Sequence, residues 1–226
     1  MPWVEIALTV ELRSALSTSG RAAHGSVVAR DLARDGWGRL ILPASHLKGR
    51  LRHACRQVAH TLGLASCPPA HADAACPLCA LFGAPGQPGA LRWRDLPCLA
   101  APEPASSLAD PLAHSPAVPR GGLALSRARG VAASAHWRPT TLPLPAQLRF
   151  GHPQAIVGMV PAVAPIHLLL AGCRLLGGVG QGRSRGLGWA QVQAEAWVDG
   201  APLAADPHAL GALRVEASAL VGEAAP

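Results

Sequence analysis

The sequence of 226 residues contains no tyrosine, only two phenylalanines and a single lysine, Lys48. It also lacks an uninterrupted apolar run long enough to cross a bilayer, because its most apolar stretch includes Pro161, Pro165 and His167. The N-terminus has neither the basic nor the apolar region of a secretory signal, so we expect a cytoplasmic protein with no membrane partner. Half of the residues are apolar and 15% are charged, which excludes wholesale disorder and predicts one domain over residues 1–226.

Acidic residues are absent from a long internal stretch. Residues 111–190 contain eight arginines and no Asp or Glu, and the whole chain has a formal net charge of +7. An excess of one charge indicates a polyanionic partner, and a nucleic-acid phosphate backbone is the natural candidate. A GC-rich genome would also raise Arg together with Ala, Gly and Pro. That explanation accounts for the preference for Arg over Lys, but it accounts less well for the missing acids.

Hydrophobic periodicity predicts the main elements. Residues Val4–Arg13 and Trp189–Val198 alternate between apolar and polar, which is typical of half-buried strands. Helical spacing predicts one helix that Ser45 caps and Gly63 ends. The apolar segment Val163–Leu176 predicts a second, buried helix.

The order of these elements indicates the fold class. With a strand region at Ala90–Pro97 and β-like stretches within Gly121–Leu148, the order is strand, helix, strand region, strand, helix, strand. This order predicts an α+β fold with a ferredoxin-like (RRM-like) βαββαβ core. We expect two insertions in that core: a thiol-rich loop at 64–89 and a loop at about 100–148 that carries a protruding β-hairpin.

The first predicted helix has three faces. Its apolar face consists of Leu47, Leu51, Cys55, Val58 and Leu62. A basic stripe at intervals of four residues consists of Lys48, Arg52 and Arg56. Histidines on the other flank are His46, His53 and His60. Lys48 is the sole lysine in an arginine-rich chain, which favours a position that needs a compact point charge.

The thiol-rich insertion has the spacing of a metal site. Cys67, His71, Cys76 and Cys79 lie within thirteen residues, and a C-x-x-C pair chelates well from a tight turn. These residues predict a structural zinc ion. The fourth ligand is open, since Cys55, His53 or His60 can replace His71 if the loop folds back on the helix. A loop of unligated thiols is the alternative, and a redox C-x-x-C pair lacks the helix that such a pair requires.

A glycine-rich segment, 177–188, follows the second predicted helix. A dinucleotide-binding fingerprint requires strand, glycines and then helix, whereas here the order is helix, glycines, strand. The centre of the segment is Gly182-Arg183-Ser184-Arg185. Bare backbone amides beside two guanidinium groups suit close approach to a sugar–phosphate backbone. A flexible turn is the alternative interpretation.

No hydrolase or metalloprotease motif is present, and no convincing pair of carboxylates is visible. His24, after the first predicted strand, is the histidine best placed to act as a general base for RNA cleavage. A solvated or core histidine is the more common situation.

Four segments in order resemble the RAMP superfamily of CRISPR-associated proteins. Leu42–Arg52 (LPASHLKGRLR) resembles its "(I/L)PGSSLKGxLR" signature, and Cys76–Gly83 (CPLCALFG) resembles the "CxxCxLFG" segment. Gly182–Trp189 (GRSRGLGW) resembles the C-terminal glycine-rich loop of that superfamily. Gly122–Phe150 is similar to the thumb hairpin of its backbone subunits. The resemblance covers about residues 1–198.

The closest likeness is to the backbone subunit of type III and related effector complexes. The resemblance implies a subunit that polymerises along a guide CRISPR RNA and presents it to target RNA. Further copies of the chain and other effector subunits, including a separate nuclease, would be its partners. The thumb would wedge between guide and target. The residues that the resemblance assigns to RNA are Ser45, His46, Lys48, Arg50, Arg52, Arg56, Arg127, Arg129, His136, Trp137, Gly182, Arg183, Ser184 and Arg185.

The resemblance fails at the catalytic aspartate of target-cleaving members, which lies in a "DxPVxRD" context. Aligning Arg30-Asp31 with the end of that motif places Gly25 at the catalytic position. Asp31 or Asp35 would substitute only if the loop were shifted. We therefore expect a subunit that does not cleave RNA itself. The alternatives are a CRISPR RNA-processing endoribonuclease of the same superfamily and a zinc-bearing interaction module unrelated to RNA, which the acid-free stretch disfavours.

Overall fold

The structure is a computed structural model, and it describes residues 1–18, 32–64, 76–99, 117–120, 125–132, 140–143 and 148–204. Several residues singled out above lie outside these ranges: His24, Gly25, Asp31, Cys67, His71, His136 and Trp137. The strands are β1 (Trp3–Leu12), β2 (Ile41–Leu42), β3 (Leu91–Trp93), β4 (Leu96–Pro97), β5 (Ala117–Arg120), β6 (Leu125–Ser126), β7 (Val131–Ala132), β8 (Thr140–Pro143), β9 (Arg149–Met159), β10 (Ala190–Val198) and β11 (Ala201–Pro202). The helices are α1 (Ala44–Thr61), α2 (Pro77–Phe82) and α3 (Ala164–Leu175).

The main sheet has five strands in the order β11-β10-β1-β9-β3. Every neighbouring pair in it is antiparallel. The predicted alternation of β1 is confirmed, since the side chains of its even-numbered residues are buried and those of its odd-numbered residues are not. The fold therefore combines α-helices with an antiparallel β-sheet.

Helices α1 and α3 pack against the buried face of this sheet and against each other. The two helices are in close contact at Gly172, where an added Cβ would collide with the Sγ atom of Cys55. Burial raises the pKa of Cys55 and of its neighbour Cys173, so both thiols stay protonated as small apolar core groups. A glycine at position 172 is thus what lets α1 and α3 lie so close together.

The start of α1 differs from the sequence prediction. The predicted cap at Ser45 is wrong, because the helix begins at Ala44 with Pro43 at the N-cap position. The Ala44 N–H donates to Asp95 Oδ1 at 2.7 Å, so a carboxylate distant in sequence satisfies the first turn. The predicted end at Gly63 is confirmed: this glycine has φ +70° and follows the last turn.

The predicted strand region at Ala90–Pro97 is divided in two. Its first part, β3, joins the main sheet beside β9, whereas its second part, β4, pairs with β2. The division lies at Arg94-Asp95, and it places the Asp95 carboxylate beside the start of α1.

Two short antiparallel pairs lie within the predicted 100–148 insertion. Strand β5 pairs with β8, and β6 pairs with β7 around a turn at Arg127–Gly130. The pairings are nested, so the chain runs out and back through this region. Across the described part of the chain, no helix has both the length and the apolarity that a membrane span requires.

Candidate nucleic-acid interface

The glycine-rich segment 177–188 is held in place by backbone hydrogen bonds. Within it, the Val179 N–H donates to the Gly188 carbonyl at 2.8 Å. Outside it, the Gln181 N–H donates to Ser17 O and the Gly188 N–H donates to Ala15 O, both at 2.7 Å. The segment therefore rests on the chain that leaves β1.

Two of its glycines are required by this close contact. Gly180 has φ +80°, and an added Cβ would lie 2.6 Å from the Ser17 carbonyl oxygen. Gly188 has φ +69°, and its Cβ would collide with the Val179 carbonyl oxygen. Both positions combine a left-handed backbone with a backbone neighbour, so any side chain would displace the loop.

One flank of α1 contacts the same loop. The Gly180 N–H donates to His46 Nε2 at 2.6 Å, and Arg50 Nε donates to the Gly178 carbonyl at 3.4 Å. Because Nε2 accepts this bond, His46 is neutral with its proton on Nδ1. The loop is thus fixed between the N-terminal half of α1 and the segment after β1.

Two arginines meet at this contact without a carboxylate between them. Partial burial, followed by the positive charge of Arg183, lowers the pKa of the Arg50 guanidinium. The pKa of His46 is lowered as well, first by burial and then by Arg50 and Arg183. Among the described residues, no carboxylate forms an ion pair with either arginine. We call Arg50 and Arg183, which lie beside the neutral His46, the cation cluster. An anion bound beside it would relieve the repulsion.

The tip of the loop projects from this cluster. Residues Arg183–Arg185 form a single 3₁₀ turn between Gly182 and Gly186, whose backbones are both left-handed. The side chains of Arg183, Ser184 and Arg185 are exposed. Two guanidinium groups and a hydroxyl are therefore presented to solvent on a fixed backbone, as a phosphate backbone would require.

The other flank of α1 is turned toward α2. Arg52 Nη1 donates to the Gly83 carbonyl at 2.7 Å, and Nη2 lies 3.9 Å from Cys79 Sγ. Arg56 is half-buried, and its Nε atom is buried without a hydrogen-bond partner in the described structure. Lys48 is half-buried and Ser45 is exposed. The basic stripe read from the sequence thus includes an arginine that links α1 to α2.

The remaining predicted RNA contacts lie in the nested strand pairs. Arg127 and Arg129 are exposed in the turn that joins β6 and β7. The turn is closed by the Gly130 N–H, which donates to the Ser126 carbonyl at 2.9 Å. His136 and Trp137 lie outside the described residues.

Half of the predicted zinc ligands are described. Cys76 precedes α2 and Cys79 lies in its first turn, and both are buried. Cys67 and His71 lie outside the described residues. Within the described ranges, no group of three or more His, Cys, Asp or Glu side chains has the arrangement of a metal site. Two buried thiols at this spacing suit half of a tetrahedral zinc site, and the other ligands would come from the loop before α2.

Asp35, one of the two acids weighed as a catalytic substitute, is engaged in a turn. Its carboxylate accepts hydrogen bonds from the Trp37 N–H, the Arg39 N–H and Arg39 Nε. Desolvation opposes ionisation of this carboxyl group, but the bonds from Arg39 and Trp37 prevail and lower its pKa. The turn exposes Trp37, which the sequence motifs do not single out. The signal available there was a tryptophan between two glycines, Gly36 and Gly38.

Two comparisons with known proteins bear on the family of this chain. A search of curated proteins finds no match. The sequence model of the RAMP superfamily matches residues 25–191, which include α1, strand β9, α3 and the glycine-rich segment. The match covers well over half of the chain, and the chain belongs to the RAMP superfamily.

Proposed function

We propose that this chain binds guide CRISPR RNA as a backbone subunit of a type III or type III-like effector complex. The cation cluster carries the proposal. Arg50 on α1 and Arg183 in the loop repel each other electrostatically, and among the described residues neither forms an ion pair with a carboxylate. The glycines of the loop fix its shape. A phosphodiester backbone is the ligand that such a fixed group of cations and bare amides suits best.

The topology supports the fold that the proposal assumes. Four strands of the sheet are ordered β10-β1-β9-β3, with α1 after β1 and α3 after β9. A ferredoxin-like βαββαβ core has this order when its second strand is β3 and its fourth is β10. We propose this core for the chain, with the thiol-rich loop and the thumb as insertions.

In the proposed complex, the guide backbone lies along the loop tip and the adjacent flank of α1. Arg183 and Arg185 pair with phosphates, and the Ser184 hydroxyl and Gly182 backbone approach the sugar. Ser45 and Lys48 extend the track at the start of α1. Arg52 and Arg56 lie on the flank turned toward α2, where Arg52 supports the fold through its hydrogen bond to Gly83. Arg127, Arg129, His136 and Trp137 act from the thumb, between guide and target RNA. Further copies of the chain follow along the guide.

A structural zinc ion is part of the proposal. Cys76 and Cys79 would hold it together with Cys67 and His71, and the ion would tie the thiol-rich loop to the start of α2. The hydrogen bond from Arg52 toward Cys79 Sγ suits a thiolate, which accepts more strongly than a thiol.

The subunit is proposed to leave target cleavage to another nuclease. Gly25 stands at the position where cleaving relatives have aspartate. Asp35 is held by Arg39 and Trp37, so its carboxylate has a structural role in the turn.

The test is RNA binding by the purified chain on native and denaturing gels. With a labelled repeat–spacer RNA, we expect a ladder of intact complexes that weakens as salt is raised. The double variant Arg183→Ala/Arg185→Ala should lose at least tenfold in affinity and reduce the salt slope by about 1.4, since each single-strand phosphate contact contributes about 0.7. Arg92→Ala is the matched control, because it removes an exposed arginine from β3.

Two results would overturn the proposal. Equal affinities of the double variant and the control would remove the loop from the binding site. A single cut in the repeat, abolished by His24→Ala, would instead identify a CRISPR RNA-processing endoribonuclease.

A further inference from the structure

The turn before β2 exposes an aromatic side chain that the fold does not use. Trp37 is 84% exposed, whereas the half-buried Trp93 packs against Phe82 with ring centroids 5.3 Å apart. An indole contributes to folding mainly through the apolar area that it buries, so Trp37 adds little to stability. Its exposure points to a ligand.

The turn is rigid before any ligand arrives. Asp35 Oδ1 accepts from the Trp37 N–H at 3.0 Å and from the Arg39 N–H at 2.9 Å, and Oδ2 accepts from Arg39 Nε at 2.7 Å. The chain closes below the tip, where the Asp35 N–H donates to the Arg39 carbonyl at 2.9 Å. The backbone that presents the indole is therefore already ordered, which lowers the entropy cost of binding.

One face of the indole is covered by a cation, and the residues next to Trp37 in the chain carry no side chain. The Arg39 guanidinium lies over the ring, 5.0 Å from the centroid. The residues on either side, Gly36 and Gly38, have no side chain, and a Cβ added at either would meet nothing within 4 Å. Gly38 has φ +80° and needs glycine for its backbone, but Gly36 has no such need. Among the described residues, nothing is recorded on the second face of the indole, and the 84% exposure of Trp37 leaves room there for a flat partner.

The turn that carries Trp37 and the glycine-rich loop are anchored to neighbouring residues of the chain. Thr18 Oγ1 accepts from the Ala33 N–H at 3.1 Å, at the base of the turn. The preceding residue, Ser17, accepts from the Gln181 N–H of the loop at 2.7 Å. Trp37 is four residues beyond Ala33, a reach of about 13 Å in extended chain. The turn and the loop thus share an anchor at Ser17-Thr18, which is the ground for placing both on one bound strand.

We propose that Trp37 is a stacking platform for an unpaired nucleobase of the RNA whose backbone the cation cluster holds. The base stacks on the open face of the indole, and Arg39 covers the opposite face. This inference rests on the proposed function, because it places the base in the same bound strand. Stacking needs no base-edge contact, so the platform accepts all four bases and suits a guide of variable sequence.

A protein partner is the weaker interpretation of the exposed indole. Interfaces form on contiguous apolar patches, whereas the residues around Trp37 are Asp35, Arg39 and two glycines. A cation stacked on an isolated ring is instead a common arrangement in single-strand nucleic-acid sites.

The test compares Trp37→Ala with Arg183→Ala on single-stranded RNA. We expect Trp37→Ala to weaken binding about 5- to 100-fold with an unchanged salt slope, because it removes stacking and leaves the phosphate contacts in place. Trp37→Phe should keep most of the affinity. Arg183→Ala should weaken binding and lower the salt slope. RNA with abasic sites should bind wild type about as weakly as intact RNA binds Trp37→Ala.

The outcomes separate the two proposals. If Trp37→Ala binds like wild type while Arg183→Ala binds weakly, the platform is wrong and the guide-binding function stands. If wild type binds no RNA, the function and the platform both fail. If Trp37→Ala changes only the number of copies that assemble, Trp37 contacts protein and the platform is overturned. Thermal melting of each variant checks the fold, which substitution of an exposed side chain should preserve.

Discussion

The two flanks of α1 have arginines two positions apart with different surroundings. Arg52 faces α2 and donates to the Gly83 carbonyl at 2.7 Å. Arg50 faces the glycine-rich loop, where its closest acceptor, the Gly178 carbonyl, lies 3.4 Å away and Arg183 repels it. The first arginine thus has a short hydrogen bond within the fold. The second has a long hydrogen bond and a positively charged neighbour, which favours binding of an anion. Spacing along a helix identifies a basic residue, but the element packed against it decides whether that residue stabilises the fold or binds a ligand.

The largest effect is expected on stability, when the Arg52 side chain is removed. We expect Arg52→Ala to lower the free energy of unfolding by about 1.5–3 kcal/mol, because a charged hydrogen bond to a partly buried carbonyl is lost. RNA affinity should change little. Urea denaturation of the variant, with Arg92→Ala as the control, measures the first quantity, and the gel assay measures the second. A stable variant that fails to bind RNA would reverse the roles of the two flanks.

The opposite pattern is expected at Arg50. Arg50→Ala should weaken RNA binding about tenfold, or about 1.4 kcal/mol, because one phosphate contact is lost. The free energy of unfolding should stay within about 0.5 kcal/mol of wild type, since relief from Arg183 offsets the weak bond to Gly178. Filter binding across a salt series measures the RNA affinity, and urea denaturation measures the free energy of unfolding. Unchanged affinity would show that Arg50 only positions the loop.

The smallest effect is expected at His46. Its pKa in the folded chain lies below the usual 6.5, so the unfolded chain takes up a proton more readily. The stability that neutral His46 contributes is fully present above pH 6.5 and is lost as the pH falls from there through the folded-state pKa. Melting temperatures between pH 5 and 8 should therefore decline on the acid side, and His46→Gln should flatten that decline.

The control for this pH series is His152→Gln. Burial, followed by the charge of Arg94, lowers the pKa of His152 as well, at a site on β9. This control should keep the part of the acid-side decline that depends on His46. Identical pH profiles for His46→Gln and wild type would contradict the prediction.

Periodicity in the sequence was sufficient for the elements that are half buried and regular. The alternation of β1 and β10 and the apolar character of α3 predicted those elements to within about two residues of their ends. Periodicity does not predict strand β9, which lies between β1 and β3 in the sheet, because Gly151, Pro153 and Gly158 interrupt its alternation. Gly158 has a reason that only the fold reveals, since its Cβ would collide with the Ala90 carbonyl oxygen.

The candidate site was predictable in composition but not in its contacts. The arginines of the glycine-rich segment could be singled out because no acid lies near them in the sequence. The contacts of His46 with Gly180 and of Arg52 with Gly83 join residues that are far apart in the chain. A helical pattern shows which residues share a flank, and it does not show which segment will pack there.

The close crossing of α1 and α3 at Gly172 has a mechanical consequence. The glycine-rich segment leaves the end of α3 and is fastened by hydrogen bonds to the start of α1. Two of its supports therefore belong to one tightly packed pair of helices, since Gly172 brings α3 against the Cys55 side chain of α1 with no room for a Cβ. A load on the proposed strand at Arg183 would therefore reach the two helices by two routes, through the covalent chain of α3 and through the hydrogen bonds to α1.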